Sequence, residues 1–320
     1  MARVIRWGIM GTGMIATKVA LLIAAAKDAQ IVAVGSRKLE TAQAFAAKLK
    51  IPRAHGSYEA LLTDPELDAV YISLPNGLHH DWTMKALAAG KHVLCEKPYS
   101  RHPEEVEEAF AAAEASGLVL MEAFMYRHHP QTRLVERLVR EGALGRLLSI
   151  RATFTFPLRD HTNVRAKPEL DGGALMDVGC YCISGARLLA GEPLSVKAFQ
   201  VIGPTGVDMA LYGTLHHRDG VVTQFDASFI APQRQVLEVV GEDAVLTVQA
   251  PWRVDWPGGL ELVRDGKAEA LDVPTANSYV LELENLAEAV AGEAPPLLGR
   301  EDALGQAQTI NALYAEAASK

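Results

Sequence analysis

Val4-Ile5-Arg6-Trp7-Gly8-Ile9-Met10-Gly11-Thr12-Gly13-Met14-Ile15-Ala16 opens this chain, and a helix-compatible stretch rich in Ala and Leu comes after it. An apolar run, a glycine pair and a helical pattern in that order make a strand, a tight turn and a helix. In such a turn the first glycine permits the bend, the second lets the backbone approach a pyrophosphate, and the third small residue lets helix and strand pack closely. Gly11, Gly13 and Ala16 fill those places. The helix beginning at Met14 and Ile15 would aim unpaired N–H groups and the positive end of its dipole at the phosphates, so no lysine is required. A bare Gly-x-Gly-x-x-Ala match is weak, and a tight turn without ligand is its alternative. Context strengthens it, because a second apolar run, 31–35, follows at the expected distance.

The end of that second run bears on the choice of nicotinamide cofactor. An acidic residue there would bond the ribose 2′-OH and repel a 2′-phosphate. Ser36, Arg37 and Lys38 stand there instead. A hydroxyl and two cations suit a phosphate, and a guanidinium can also stack on adenine, so NADP is expected over NAD. The competing account makes Arg37 and Lys38 solvated surface charges.

With 320 residues, of which 49% are hydrophobic, the chain can build two packed cores. Its formal charge of -8 disfavours nucleic acid or an anionic membrane as partner, while leaving room for a local positive pocket. The absence of an apolar run of about 18 residues or a signal-peptide pattern leads to a cytoplasmic expectation. Cys95, Cys180 and Cys182 form no Cys-x-x-Cys pair, so neither a disulfide framework nor structural zinc is indicated. The histidine pairs 79–80, 128–129 and 216–217 lack the spacing of three or four that helical metal sites use, and no metal is expected.

Apolar runs at 4–10, 31–35, 69–74, 91–95 and 118–122 alternate with helical stretches, which implies a doubly wound parallel sheet. Pro103-Glu104-Glu105 marks a helix start. After a helix near 130–141 the character becomes β-rich, with runs at 147–156, 195–202, 207–217, 221–230, 235–241, 244–249 and 260–264. Asp219-Gly220 and Asp265-Gly266 are turn signals between strands. One helix, about 177–190, interrupts this mostly antiparallel sheet, and helices at about 278–292 and 300–318 close the chain. The expected class is α/β, with a dinucleotide-binding domain over 1–122 and a second, α/β domain with an open sheet over 123–320.

Ligands of open α/β sheets bind beyond the carboxyl ends of the strands. The runs ending Leu74-Pro75-Asn76 and Glu96-Lys97-Pro98 finish there with polar groups, His79 following closely after the first. Lys97 is either functional or a lysine snorkelling at a strand end. In the second half, Gly172-Gly173-Ala174-Leu175-Met176-Asp177 leads into a helix on which Asp177 and Tyr181, four apart, share a face. Asp177 could equally be a capping carboxylate and Tyr181 a core aromatic.

Four segments together resemble the Gfo/Idh/MocA oxidoreductases: Val70 to His79, Gly90 to Pro98, Glu122-Ala123-Phe124-Met125-Tyr126-Arg127, and Gly172 to Tyr181. The resemblance spans nearly the whole chain and is greatest to the branch containing dimeric dihydrodiol dehydrogenase and NADP-dependent D-xylose dehydrogenase. It implies that Lys97 is the catalytic lysine, Asp177 its carboxylate partner, and Tyr181 the acid/base. It also implies cofactor contacts from Leu74, Pro75, Asn76, His79, Glu96 and Arg127, substrate contacts from Tyr126, and association through the second sheet as a homodimer or homotetramer. Arg159, Asp160, His161 and Asn163 are candidates to bond substrate hydroxyls, or a solvated loop.

Alcohol oxidation releases a proton from oxygen as hydride leaves carbon, so a base and a cation are needed. Tyr181 is the expected base and Lys97 the cation, whose charge favours phenolate; Lys97 as direct proton carrier stays open. The leading expectation is NADP-dependent oxidation of an aldose to its lactone. Oxidation of a trans-dihydrodiol, a non-catalytic NADP-binding sensor, and an enzyme that recycles a tightly held cofactor are its rivals.

Overall fold

The computed structural model describes residues 4–23, 25–253 and 258–319. Two compact units emerge, one made of the chain up to Met125 together with Tyr279–Leu304, the other of Tyr126–Ser278 with the residues from Gly305 onward.

The first unit carries a six-stranded parallel sheet: β1 (Ile5–Met10), β2 (Ala29–Gly35), β3 (Arg53–His55), β4 (Ala69–Ile72), β5 (His92–Glu96) and β6 (Leu120–Ala123), in the order β3-β2-β1-β4-β5-β6. All four residues of β4 and the centre of β5 are fully buried, as both-sided coverage of a parallel sheet requires. The helices α1 (Met14–Ile23), α2 (Leu39–Leu49), α3 (Tyr58–Leu62), α4 (His79–Ala88) and α5 (Pro103–Ala115) link the strands. Pro103 sits in the first turn of α5 with Glu104 and Glu105 beside it, where a missing N–H costs nothing and carboxylates meet the positive dipole end.

The second unit opens with α6 (Pro130–Arg140). Its eight-stranded sheet comprises β7 (Leu147–Thr155), β8 (Ser195–Ile202), β9 (Asp208–His216), β10 (Val222–Ser228), β11 (Arg234–Gly241), β12 (Val245–Gln249), β13 (Leu260–Arg264) and β14 (Lys267–Ala270). The order is β14-β13-β12-β11-β7-β10-β9-β8, antiparallel throughout except for β7 beside β10. Burial alternates along β11, where Leu237 and Val239 are buried and Glu238 is not, the signature of a sheet covered on one face. The covering helix is α7 (Cys180–Ala190), and a Cβ at its Gly185 would come within 2.6 Å of the Trp252 ring. Across the other face run Phe199, Tyr212, Arg151, Glu238 and Gln224, half-buried to exposed.

The compact units divide the chain after Met125, where the sequence expectation set 1–122 and 123–320. Residues 123–125 continue the first unit, and α8 (Ser278–Ala291) lies almost wholly in it, while α9 (Arg300–Ala318) is divided between the two. Side-chain partnerships explain the grouping: Lys18 lies over the Tyr279 ring, the Lys27 N–H donates to Glu284, and Arg300 pairs with Glu107 and Glu114.

Candidate active site

In the first unit the strand order reverses between β1 and β4, the place where doubly wound sheets bind ligands. Gly11 ends β1 there with φ +108°, and a Cβ on it would lie 2.9 Å from Ser73 Oγ and 3.1 Å from Ser73 O. Gly13 differs, since nothing lies within 4 Å of where its Cβ would be. That opening, at the start of α1 with Ala16 fully buried behind it, fits a pyrophosphate held by backbone N–H groups. Met14 is 84% exposed and Ile15 partly so. Ser36 is buried and its N–H donates to His55 O, whereas Arg37 and Lys38 are exposed ahead of α2.

The ends of β4 and β5 are tied by one imidazole. Nε2 of the fully buried His79 lies 2.9 Å from the Leu74 carbonyl oxygen and Nδ1 lies 2.9 Å from that of Pro98. Burial drives its pKa down, and the Lys97 charge adds to that; the neutral ring has one proton and donates to one carbonyl at a time. His79 therefore supports the chain on both sides of the Pro75-Asn76 turn and just beyond half-buried Lys97. Beneath the strand end, Tyr71 donates a short hydrogen bond to Glu96. Glu282 of α8 is buried, and burial together with the Glu96 charge raises its pKa well above the carboxylate range.

In the second unit, Asp177 and Tyr181 do not share a plain α-helix. Leu175–Gly179 forms a π-turn that runs into α7. A Cβ on Gly179 would lie 3.0 Å from Ala227 of β10, so the turn lies against the sheet. Such widened turns recur at functional sites. Asp177 accepts a 2.6 Å hydrogen bond from Arg165 Nε. Tyr181 is 6% exposed, with its ring centroid 5.8 Å from Tyr126, 5.4 Å from Phe154 and 6.2 Å from Trp252. The Tyr126 hydroxyl donates to Ser184 Oγ at 2.8 Å, and buried Arg127 donates to the same oxygen at 3.3 Å.

The loop after β7 fares differently. Asn163 Oδ1 caps its own turn by accepting from the Arg165 N–H, and Asp160 accepts from the Thr162 N–H and hydroxyl. Arg159 and His161 are exposed. The structure thus gathers Gly11, Leu74, His79 and Pro98 in one unit, and Tyr126, Tyr181, Asp177 and Asn163 in the other. Tyr71 and Glu282 were missed by sequence reasoning, as was the pairing of Arg165 with Asp177, and nothing local marked Glu282. Among the described residues no cluster of three or more His, Cys, Asp or Glu could hold a metal ion.

A doubly wound sheet with an open glycine turn at its switch point, followed by a second unit whose sheet is covered on one side, is the architecture of a two-domain dinucleotide-binding protein. Residues 5–124 match the family model described as "Oxidoreductase family, NAD-binding Rossmann fold", and 132–247 match that of the GFO/IDH/MocA C-terminal domain. The chain belongs to the GFO/IDH/MocA oxidoreductase family. It is 40% identical to D-xylose 1-dehydrogenase (NADP(+)) 2 of Haloferax volcanii over 97% of both chains. It is also 35% identical to trans-1,2-dihydrobenzene-1,2-diol dehydrogenase of Xenopus laevis, over 84% of this chain and 81% of that one. Among solved structures, a 3-ketoreductase from Actinomadura kijaniata in complex with NADP and TDP-benzene superposes with a TM-score of 0.92 at 31% identity, covering 98% and 97% of the two chains.

Proposed function

We propose that this oxidoreductase is an NADP-dependent dehydrogenase that oxidises a sugar hydroxyl, with an aldose giving its lactone as the leading reaction. The observation that carries this reading is the pairing of an open Gly13 turn with Arg37 and Lys38, rather than a carboxylate, after β2. The Haloferax relative, named for D-xylose and NADP(+), supports it. Oxidation of a trans-dihydrodiol is the second reading, favoured by the amphibian relative.

Gly11, Gly13, Met14 and Ile15 would hold the pyrophosphate, Ser36, Arg37 and Lys38 the 2′-phosphate, and Leu74, Pro75, Asn76, Glu96 and Arg127 the remainder, while His79, fully buried against the Leu74 and Pro98 carbonyls, would act through the chain it supports. When bound, NADP supplies the hydride acceptor. Tyr181 takes the hydroxyl proton of the substrate, and the Lys97 ammonium stabilises the negative charge that builds on that oxygen. Asp177, fixed by Arg165, orients a substrate hydroxyl. Tyr126 acts from beneath, since its hydroxyl bonds Ser184 and its ring packs against Tyr181; Arg159 and Asn163 line the substrate loop. Tyr181→Phe lowers kcat about 10²–10⁴-fold with little change in cofactor affinity, and an unchanged rate removes it from the mechanism.

The reading extends to a homodimer or homotetramer formed through the open face of the second sheet, where Phe199 and Tyr212 pair at 59% and 46% exposure, and to a cytoplasmic enzyme, in keeping with three buried cysteines that form no disulfide. The deciding experiment measures initial rates of NADP and NAD reduction across aldoses, inositols and a trans-dihydrodiol. Turnover of an aldose with NADP establishes the reading; turnover of the dihydrodiol alone transfers it to the second, and silence in both directions rejects both.

A further inference from the structure

The π-turn that bears Asp177 begins at a buried carboxylate that neither the family resemblance nor the comparisons single out. Asp208, the first residue of β9, is 3% exposed. Its Oδ2 accepts the Leu175 N–H at 2.7 Å and its Oδ1 accepts the Tyr314 hydroxyl of α9 at 2.9 Å. The Leu175 N–H is an orphan donor at a helix start, and a carboxylate there also meets the positive end of the dipole.

The glycines before the turn fit the same arrangement. Gly173 has φ +127°, and a Cβ on it would fall 2.0 Å from Asp208 Oδ1 and 3.1 Å from the Tyr314 hydroxyl. At Gly172 a Cβ would fall 2.4 Å from the Arg165 carbonyl oxygen. The Gly173 N–H donates to that same oxygen at 2.9 Å. One chain crossing therefore fixes two things at once: Arg165, which holds Asp177 from outside, and the start of the turn, which Asp208 holds from within.

We infer that Asp208 is a positioning residue for catalysis, setting the direction of Asp177 and Tyr181 by anchoring the N–H of Leu175, with Tyr314 as the brace that keeps its carboxylate in place. This inference rests on the proposed roles of Tyr181 and Asp177. Asp208 reaches no reacting atom; it acts through the turn. A neutral amide in its place keeps one acceptor but turns an N–H donor toward the other donors, so the turn loses an anchor while the sheet keeps its strand.

The test is a double-mutant cycle in the full-length chain, with the best aldose and NADP. Asp208→Asn is expected to lower kcat about 10–100-fold, with KM for NADP within threefold of the wild type and a retained cooperative melt. Tyr314→Phe, which keeps the carboxylate, is expected to lower kcat about threefold to tenfold. In the Tyr181→Phe background, Asp208→Asn should cost several-fold less than it does in the wild type, because one of the two groups it directs is already gone. An unchanged kcat in a folded Asp208→Asn protein overturns the inference, as does a full multiplicative loss in the double variant. If Asp208→Asn does not fold, an unchanged kcat in Tyr314→Phe overturns it. An unimpaired Tyr181→Phe instead defeats the proposed mechanism, which keeps the two failures apart.

Discussion

Within two glycine pairs, one in each unit, Gly13 and Gly172-Gly173 carry opposite meanings. At Gly13 the direction of the missing side chain is empty, and the emptiness sits at the start of α1 where a phosphate can enter. At Gly172 and Gly173 that direction is filled by the protein itself, by the Arg165 carbonyl in one case and the Asp208 carboxylate in the other. A glycine in a motif thus reports either space kept for a ligand or space taken by the fold, and only the surroundings tell which.

Substitution at each pair separates the two meanings, and the widest gap is expected at Gly173. Gly173→Ala combines a positive φ with a 2.0 Å clash against a buried carboxylate, so it should cost roughly 4 kcal/mol or more and leave little folded protein. Thermal melts of the purified variant give the answer, and a melt near the wild-type value breaks the comparison.

Asp208 next to it supplies a pH signature. Burial pushes its pKa up to about 6, against the N–H groups of Leu175 and Ala174 and the Tyr314 hydroxyl, from an ordinary 3.8. A raised carboxyl pKa means that the folded state holds its proton longer, so stability is lost as pH rises from about 4 to about 6, by roughly 3 kcal/mol. Denaturant midpoints for wild type and Asp208→Asn across that range should shift in favour of the variant as pH rises; a constant difference contradicts it.

The open turn at Gly13 gives the smaller effects. Gly13→Ala should leave the melting temperature within a few degrees, yet weaken NADP binding about 10-fold or more, near 1.4 kcal/mol. Equal losses in both would make Gly13 structural, like its counterpart. Arg37→Ala should weaken NADP about 10-fold and leave NAD within twofold. Titration of nucleotide fluorescence checks both, and equal effects on the two cofactors sharpen the contrast against a 2′-phosphate site.

Most of the fold was legible because its signals are local. Strand and helix periods marked β1, β2, β4 to β13 and the helices from α6 onward to within a few residues. The strand β3 escaped because it is three residues long and only half-buried, and β14 because its four residues are all exposed and show no alternation. Type and spacing singled out Lys97, Asp177 and Tyr181 only beside a snorkelling lysine, a capping carboxylate and a core aromatic, and the roles proposed for them come from the family resemblance. The π-turn could not, since it depends on hydrogen-bond slippage against β10. Glu282 and Asp208 were invisible for the same kind of reason: each is defined by partners far along the chain, Glu96 and Tyr314 respectively.

The return of α8 to the first unit has a consequence for how the protein is made. Tyr279, Glu284 and Arg300 supply partners to Lys18, Lys27 and Glu107, so the nucleotide-binding half emerges early from the ribosome but waits for a late segment. During synthesis, the complete second sheet is available before the first unit has received its last helix. A ribosome-arrested chain ending near residue 275 would lack α8 and leave exposed the part of the first unit that this helix covers.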